Sequence, residues 1–214
     1  MRPYLRAANV TWEGLDLRDV KLMNFTKAES GVYELERGDV VVAEASGSAD
    51  EVGKPAVWRG EIEGCCFQNT LIRVRTRGAS PDYLRYFLLA EARFGRIGRA
   101  APGVGIHHIG AARLSAWPVP VAPLNEQLRI VAALDEHIVR IESLERGVEA
   151  LVGPFQRGRG RFGALRRSLL LHAFRGELVS QDFDDEPASI LMVRSDASPR
   201  TASSLRAGLS EAGR

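Results

Sequence analysis

NEQLRIVAALDEHIVRIESLERGVEALVGPFQRGRGRFGALRRSLLLHAFR, residues Asn125 to Arg175, decides the architecture. Every seventh residue from Leu134 is apolar: Leu134, Ile141, Val148, Phe155, Phe162 and Leu169. The companion positions Val131, Ile138, Glu145, Val152, Arg159, Arg166 and Ala173 are mostly apolar at first and then turn basic. A seven-residue repeat sustained this far keeps one seam on one side of slightly underwound helices, as in a coiled coil. The expected interface is Leu134, Ile138, Ile141, Val148, Val152, Phe155, Phe162 and Leu169. As one helix the stretch would reach about 75 Å at ~1.5 Å per residue, too long for an ordinary core helix. Asn125 suits an N-cap, Glu126 the first turn and Gly176 the C-terminal stop. Against helix stand Gly153-Pro154, Gly158, Gly160 and Gly163; an interior proline costs ~3 kcal/mol and a glycine ~1 kcal/mol. Two arrangements follow, a long kinked helix or a helical hairpin turning near Gly153-Pro154. The unbroken phase of the ladder across the glycines favours the long helix.

The charges of this stretch are split. Residues 125–150 carry Arg129, Arg140 and Arg146 against Glu126, Asp135, Glu136, Glu142, Glu145 and Glu149. Residues 156–175 carry Arg157, Arg159, Arg161, Arg166, Arg167 and Arg175 and no acid. Two copies side by side and antiparallel would set acidic half against basic half twice; a hairpin would make the match once. The seam therefore needs a partner helix, from a second copy or from the chain itself.

The wider composition sets bounds. With 214 residues, 45% hydrophobic and 26% charged, the chain suffices for one core and an extension. A net charge of +2 does not force attraction to nucleic acid, so the distribution of charge matters more. Cys65 and Cys66 are the only cysteines and are adjacent, which suits buried small residues in a reducing compartment better than a disulfide or a zinc site. Neither a signal peptide nor an apolar run near the length of a membrane span is present, and a cytoplasmic location is expected.

Residues 1–123 are predicted to be a mixed α/β globular domain, giving an α+β fold with the helical region at 124–176. Tyr4 to Val10 reads as a strand opening a hairpin through Glu13-Gly14, so the amino-terminal sheet edge is expected to be incomplete. A short helix is predicted from Thr26 to Gly31, and VVVAEA after Arg37-Gly38-Asp39 is a buried strand. The Ser46 to Pro55 loop carries Lys54, but its glycine spacing does not match a P-loop and Pro55 stands where Ser or Thr is required. Contact with a nucleic-acid backbone is the remaining functional reading of Lys54. Cys65 to Arg77 is the strongest strand pattern, with Arg73, Arg75 and Arg77 on one face, either solvated or facing phosphates. Gln68 and Asn69 before it carry amides of the kind that pair with a base edge. Pro81 to Phe94 is helical in its spacing. From Gly95 to His108 a basic, glycine-rich loop is expected, with Arg96 and Arg99 suited to phosphates. His107 and His108 suit base edges or phosphates, or else the capping of a turn. Ala112 to Pro123 reads as an apolar strand broken by three prolines, suited to an edge or to a linker into the long helix.

The order of these parts resembles the specificity subunit of type I restriction–modification systems. The resemblance is carried by GDVVVAEASGSADEVGKPAVWRG, CCFQNTLIRVR, the Gly105, Ile106, Ile109 element, WPVPVAPLNEQLRIV, and LRRSLLLHAFRGELV followed by DDEPAS. It covers residues 2 to 193. It implies a DNA-reading target-recognition domain joined to conserved helices. It also implies a non-catalytic role that docks S-adenosylmethionine-dependent methylase subunits and, in the full enzyme, ATP-dependent restriction subunits. The chain itself would then need no cofactor. Family members carry two recognition domains, whereas this sequence has one and is expected to lack the family's first segment. A head-to-tail homodimer reading a palindrome of double-stranded DNA is one consequence. The competing reading is a coiled-coil interaction module, or a truncated remnant, that has lost DNA reading. Paired carboxylates, a nucleophile elbow and a metal-ligand set are all missing from the sequence, so no catalytic residue is assigned. Residues 177–214 are read as an acidic stretch, a short helix from Pro187 to Val193, and disorder from Arg194.

Overall fold

The structure, a computed structural model, describes residues 1–103, 105–152 and 159–180, and the isolated positions 182, 184, 185, 189, 190 and 193. The element order is β1 (Arg2–Leu5), β2 (Lys21–Met23), α1 (Lys27–Tyr33), β3 (Val40–Ala43), β4 (Ala45–Ser46), β5 (Pro55–Val57), β6 (Cys66–Phe67) and β7 (Leu71–Val74). Then come α2 (Pro81–Arg93), α3 (Arg96–Ala100), β8 (His107–His108), α4 (Ala111–Ser115), α5 (Leu124–Val152) and α6 (Arg159–Phe174).

The antiparallel sheet β5-β3-β7 lies at the centre of the globular part. All four residues of β3 are buried because both faces of this sheet are covered. Val40 and Val42 point with Ile72 and Val57 into a core closed by Leu84, Phe87 and Leu88 of α2. Val41 and Ala43 point the other way, with Leu71 and Ala56, into a core of Leu5, Val10, Trp58, Cys65 and Phe67. The period-2 alternation of a strand thus feeds two cores at once. Cys65 and Cys66 are buried free thiols, as their composition reading anticipates, and burial pushes the Cys65 thiol up to about 12. A second sheet, β2-β1-β6, pairs β1 antiparallel to β2 and parallel to β6.

Several expectations are corrected. The Tyr4 to Val10 strand stops at Leu5, where a single turn of 3₁₀ helix over Ala7–Asn9 takes over. The antiparallel partner of β1 is β2, and the expected hairpin partner contributes only the bridge from Val10 to Leu15. The Cys65 to Arg77 strand is broken at Gln68–Thr70, with β6 joining β1 and β7 joining β3. Thr70 makes the break: its hydroxyl accepts from the Ala7 N–H and its carbonyl from the Glu44 N–H. In place of an open loop after Gly95 stand α3, with Ile97 fully buried, and β8. Ala111–Ser115 is helical and the prolines after it run without a strand ladder. The helix of 7 residues at Lys27–Tyr33 overlaps the expected Thr26 to Gly31 but takes Thr26 as its N-cap and runs on to Tyr33, held by a capping box between Thr26 and Glu29.

The long stretch is a hairpin, not a rod. α5 and α6 pack side by side, and both pack on α2. Ile130 and Leu134 of α5, Leu170 and Ala173 of α6, and Tyr83, Tyr86, Leu89 and Ala90 of α2 form one core, with Ile138 and Leu169 partly buried against it. Of the seam residues, Leu134 and Ile141 are buried and Val148 is exposed. Phe155, and the side chains of Val152 and Phe162, lie outside what the structure describes. So do Arg157 and most of the expected tail. The acid–base match is made once, within the chain: Arg166 reaches Glu145 at 2.9 Å and Glu142 at 3.6 Å. α5 also begins two residues early, at Leu124 rather than Glu126, so Asn125 lies inside the first turn and the Gln127 N–H donates to the Pro123 carbonyl.

Candidate nucleic-acid interface

β3 leaves the central sheet at Glu44, and this end gathers several of the candidate residues. The Glu44 N–H donates to Thr70 and its carbonyl accepts from Ile109, so the Gln68–Thr70 turn and β8 flank one residue. β4 then pairs with β8, placing Ala45 opposite His108 and Ser46 opposite His107. His108 Nε2 lies 3.1 Å from the nearly buried Glu44 carboxylate. His107 Nδ1 lies 3.2 Å from the Ala101 carbonyl, which it can meet only as a donor. Gln68, Asn69, His107 and His108 are therefore brought to one edge, with Asn69 and His108 exposed.

α3 extends this edge. Gly98 sits against the 3₁₀ turn Ala49–Glu51 so closely that a Cβ there would strike the Ala49 carbonyl. This close approach sets the helix beside the Ser46–Ser48 loop. Arg99 is exposed and has no acidic partner among the described residues. Arg96 is half-exposed but bound to Glu91, a buried carboxylate that also accepts from Trp117 Nε1 at 3.1 Å.

Two candidates are spent within the fold. Lys54 pairs with Glu51, which also accepts from Trp12 Nε1 at 3.0 Å. Hydrogen bonds from Lys54 and then Trp12 hold the Glu51 carboxyl below its usual range. Arg73 lies on the far side of the sheet, donating to the Glu34 carbonyl at 2.9 Å with its guanidinium 5.4 Å from the Phe67 ring. Burial pulls its pKa down. Its neighbour Arg75 is bidentate to the buried Asp39 at 2.7 and 2.8 Å and reaches Glu36 at 2.6 Å. Of the alternating arginines, Arg73 and Arg75 are thus engaged within the fold, while Arg77 is exposed. Among the described residues no group of histidine, cysteine and carboxylate side chains is arranged to hold a metal, and no helix is long and apolar enough to cross a membrane.

Other residues matter whose roles the sequence did not disclose. Gln127, fully buried, accepts from the Ser80 N–H at 2.9 Å and donates to the Ala122 carbonyl at 2.8 Å. Tyr83 donates to the Pro120 carbonyl at 2.9 Å, and Tyr86 to Asp135. Phe174 sets its ring edge-on to Tyr83 and Phe87, at centroid distances of 5.3 and 5.4 Å. Both ends of the hairpin are in this way locked to α2. The only signal for these joints was their place in the PLNEQ and AFRGELV segments, whose family likeness did not say what they do.

No family model matches the chain. It is similar to the type I restriction enzyme EcoKI specificity subunit of Escherichia coli (strain K12), 25% identical over 182 residues, which is 84% of this chain and 38% of that protein. It is also similar to the type I restriction enzyme StySPI specificity subunit of Salmonella potsdam, 28% identical over 156 residues, 72% of this chain and 32% of that protein. The chain spans about a third of the length of these curated relatives. The longer match covers 84% of the chain, and the remainder is shorter than either the globular part or the helical region, so it reaches both.

Proposed function

We propose that this chain is a DNA-reading part of a type I specificity subunit. Residues 1–123 contact the target duplex through the edge built by β4, α3 and β8, and residues 124–176 present a helical hairpin to the methylase subunits. The observation that supports this best is the similarity to two specificity subunits over 84% and 72% of the chain, the longer match reaching both the globular domain and the hairpin. The locking of hairpin to domain by Gln127 and Phe174 fits a scaffold that must hold the DNA reader at a fixed angle to its docked partners. The role is non-catalytic. S-adenosylmethionine and ATP would be bound by methylase and restriction subunits, and the assembly would work in the cytoplasm. A head-to-tail pair of chains would supply two half-sites, meeting through some of the apolar side chains the hairpin leaves open, Leu144 and Val148 of α5 and Leu165 of α6 among them.

A second reading, an interaction module without DNA reading, is favoured by one observation: Lys54, Arg73, Arg75 and Arg96 are all engaged within the fold. Fluorescence anisotropy of the purified chain with a labelled mixed-sequence duplex, across a salt series from about 50 mM, separates the two. Affinity falling linearly with log salt supports the DNA reader. Failure to bind duplex at the lowest salt, together with co-purification of the methylase subunit, supports the module.

A further inference from the structure

Arg93, the last residue of α2, and Arg167 of α6 are both exposed, and neither makes an ion pair among the described residues. The helix packing brings them to one level. Ser80 and Tyr86, at the start of α2, bond to Gln127 and Asp135 of α5, so these two helices run in the same direction. α6 runs back along both, with Phe174 against Tyr83 and Phe87 and Arg166 against Glu145. Arg167 lies seven residues before Phe174 and Arg93 six after Phe87. At ~1.5 Å per residue each is about 10 Å along its own helix from the same ring contact.

This pair of cations is not neutralised within the fold. Arg166, the neighbour of Arg167, is spent on Glu145 and Glu142. Of the acids whose charge reaches Arg93, Glu51 is held by Lys54 and Trp12, and Glu13 makes no ion pair among the described residues. Partial burial pulls the Arg93 pKa down, Glu13 and Glu51 oppose that, and Arg166 and Arg167 lower it further. Asp185 of the acidic tail is bound elsewhere, to Arg129 at 2.7 Å. Arg93 is also held in place: its guanidinium stacks on the Trp12 ring at 4.0 Å, and the indole N–H is fixed by Glu51 at 3.0 Å. A guanidinium stacked by its face keeps its N–H fork free for an oxyanion. Glu51 ends the 3₁₀ turn against which Gly98 of α3 rests, so a chain of contacts joins the pair to the helix that carries Arg99.

We propose that Arg93 and Arg167 form a clamp on the phosphate backbone of the duplex, through which the helical hairpin itself takes a share of DNA binding beside α3. The inference rests on the DNA-reading assignment and extends it from the globular domain to α6. Two uncompensated guanidiniums on neighbouring helices suit successive phosphates, which fix the register of a protein on the duplex without reading sequence.

The test measures anisotropy of a labelled mixed-sequence duplex with the full chain across a salt series. Arg167→Ala should weaken binding about tenfold at the lowest salt and lower the salt slope by about 1, and Arg167→Lys should keep the slope. Arg140, exposed on α5 and also without an ion pair among the described residues, is the charge control. Arg140→Ala should leave the slope as in wild type. Arg93→Gln should lower the slope as Arg167→Ala does, with thermal melting used to confirm that it is folded. An unchanged slope in Arg167→Ala overturns the clamp and leaves DNA reading intact. So does an equal fall in Arg140→Ala, which would make the effect one of net charge. So does loss of methylase co-purification in Arg167→Ala with the slope unchanged, which would make Arg167 a protein contact. Absence of duplex binding by the wild type removes the DNA-reading assignment and the clamp with it.

Discussion

The side-chain carbonyl of Gln127 accepts a hydrogen bond from the Ser80 backbone N–H at 2.9 Å across 47 residues of sequence. Ser80 is itself the N-cap of α2, its hydroxyl accepting from the Tyr83 N–H at 3.3 Å. One amide thus ties the start of α5 to the start of α2, inside a region closed to water. Gln127→Leu would leave the Ser80 N–H and the Ala122 carbonyl buried without partners, at about 1–3 kcal/mol for each. Urea unfolding of the variant should show a loss of ~2–4 kcal/mol. A change of less than about 0.5 kcal/mol, the level of a neutral surface substitution, would show that the joint is replaced by solvent.

Arg166 carries the match between the acidic and basic helices, meeting Glu145 and Glu142. It is about one-third exposed, so screening keeps its worth modest. Arg166→Glu replaces two attractions with two repulsions and should cost ~1 kcal/mol in low salt, less at high salt. Adding Glu145→Arg and Glu142→Arg should recover most of that loss. A double-mutant cycle that shows no coupling would place the stability of the hairpin wholly in its apolar contacts.

The pairing of α5 with α6 explains why the heptad pattern was legible and its topology was not. A seam announces that a partner exists, and Leu134 looks the same whether the partner is α6, α2 or another chain. Here it is both α2 and α6. The ladder kept its phase across Gly153-Pro154, yet α5 and α6 pack against each other, because a partner near in sequence is met at smaller entropic cost than a distant one. The alternation of VVVA was legible as a buried strand, whereas its two cores needed the rest of the sheet. Arg73 and Arg75 show the converse failure. Spacing placed them on one face, but only the fold brings Asp39 and Glu34 to meet them. Glu44, which joins the Gln68–Thr70 turn to β8, carried no signal at all beyond lying in a strand pattern.

Glu51 couples pH to the amino-terminal loop. Its folded pKa lies below the ordinary value of 4.5, first because Lys54 and then because Trp12 donates to it. A depressed carboxylate contributes stability that is present above the unfolded pKa and is lost as pH falls through the folded one. Acid titration should therefore release Trp12 below about pH 4.5, the unfolded value, read as a change in indole fluorescence. Glu51→Gln should flatten that response below pH 4.5, while leaving the fluorescence at neutral pH close to wild type. An unchanged acid transition in the variant would assign the response to another carboxylate.

Arg99 and Arg73 should separate DNA contact from fold maintenance. Arg99 is exposed and unpaired among the described residues, while Arg73 is half-buried and bound to the Glu34 carbonyl. Arg99→Ala should leave thermal stability unchanged, weaken duplex binding at every sequence tested, and lower the salt slope by about 1. Arg73→Ala should instead lower stability by ~1–2 kcal/mol through the lost hydrogen bond and the packing against Phe67. At temperatures where it stays folded, its salt slope should equal that of wild type. Arg96→Ala should fall between the two, because it gives up a half-exposed cation and leaves the buried Glu91 with Trp117 alone. A salt slope that drops for Arg73→Ala and not for Arg99→Ala would move the DNA-facing surface to the opposite side of the central sheet.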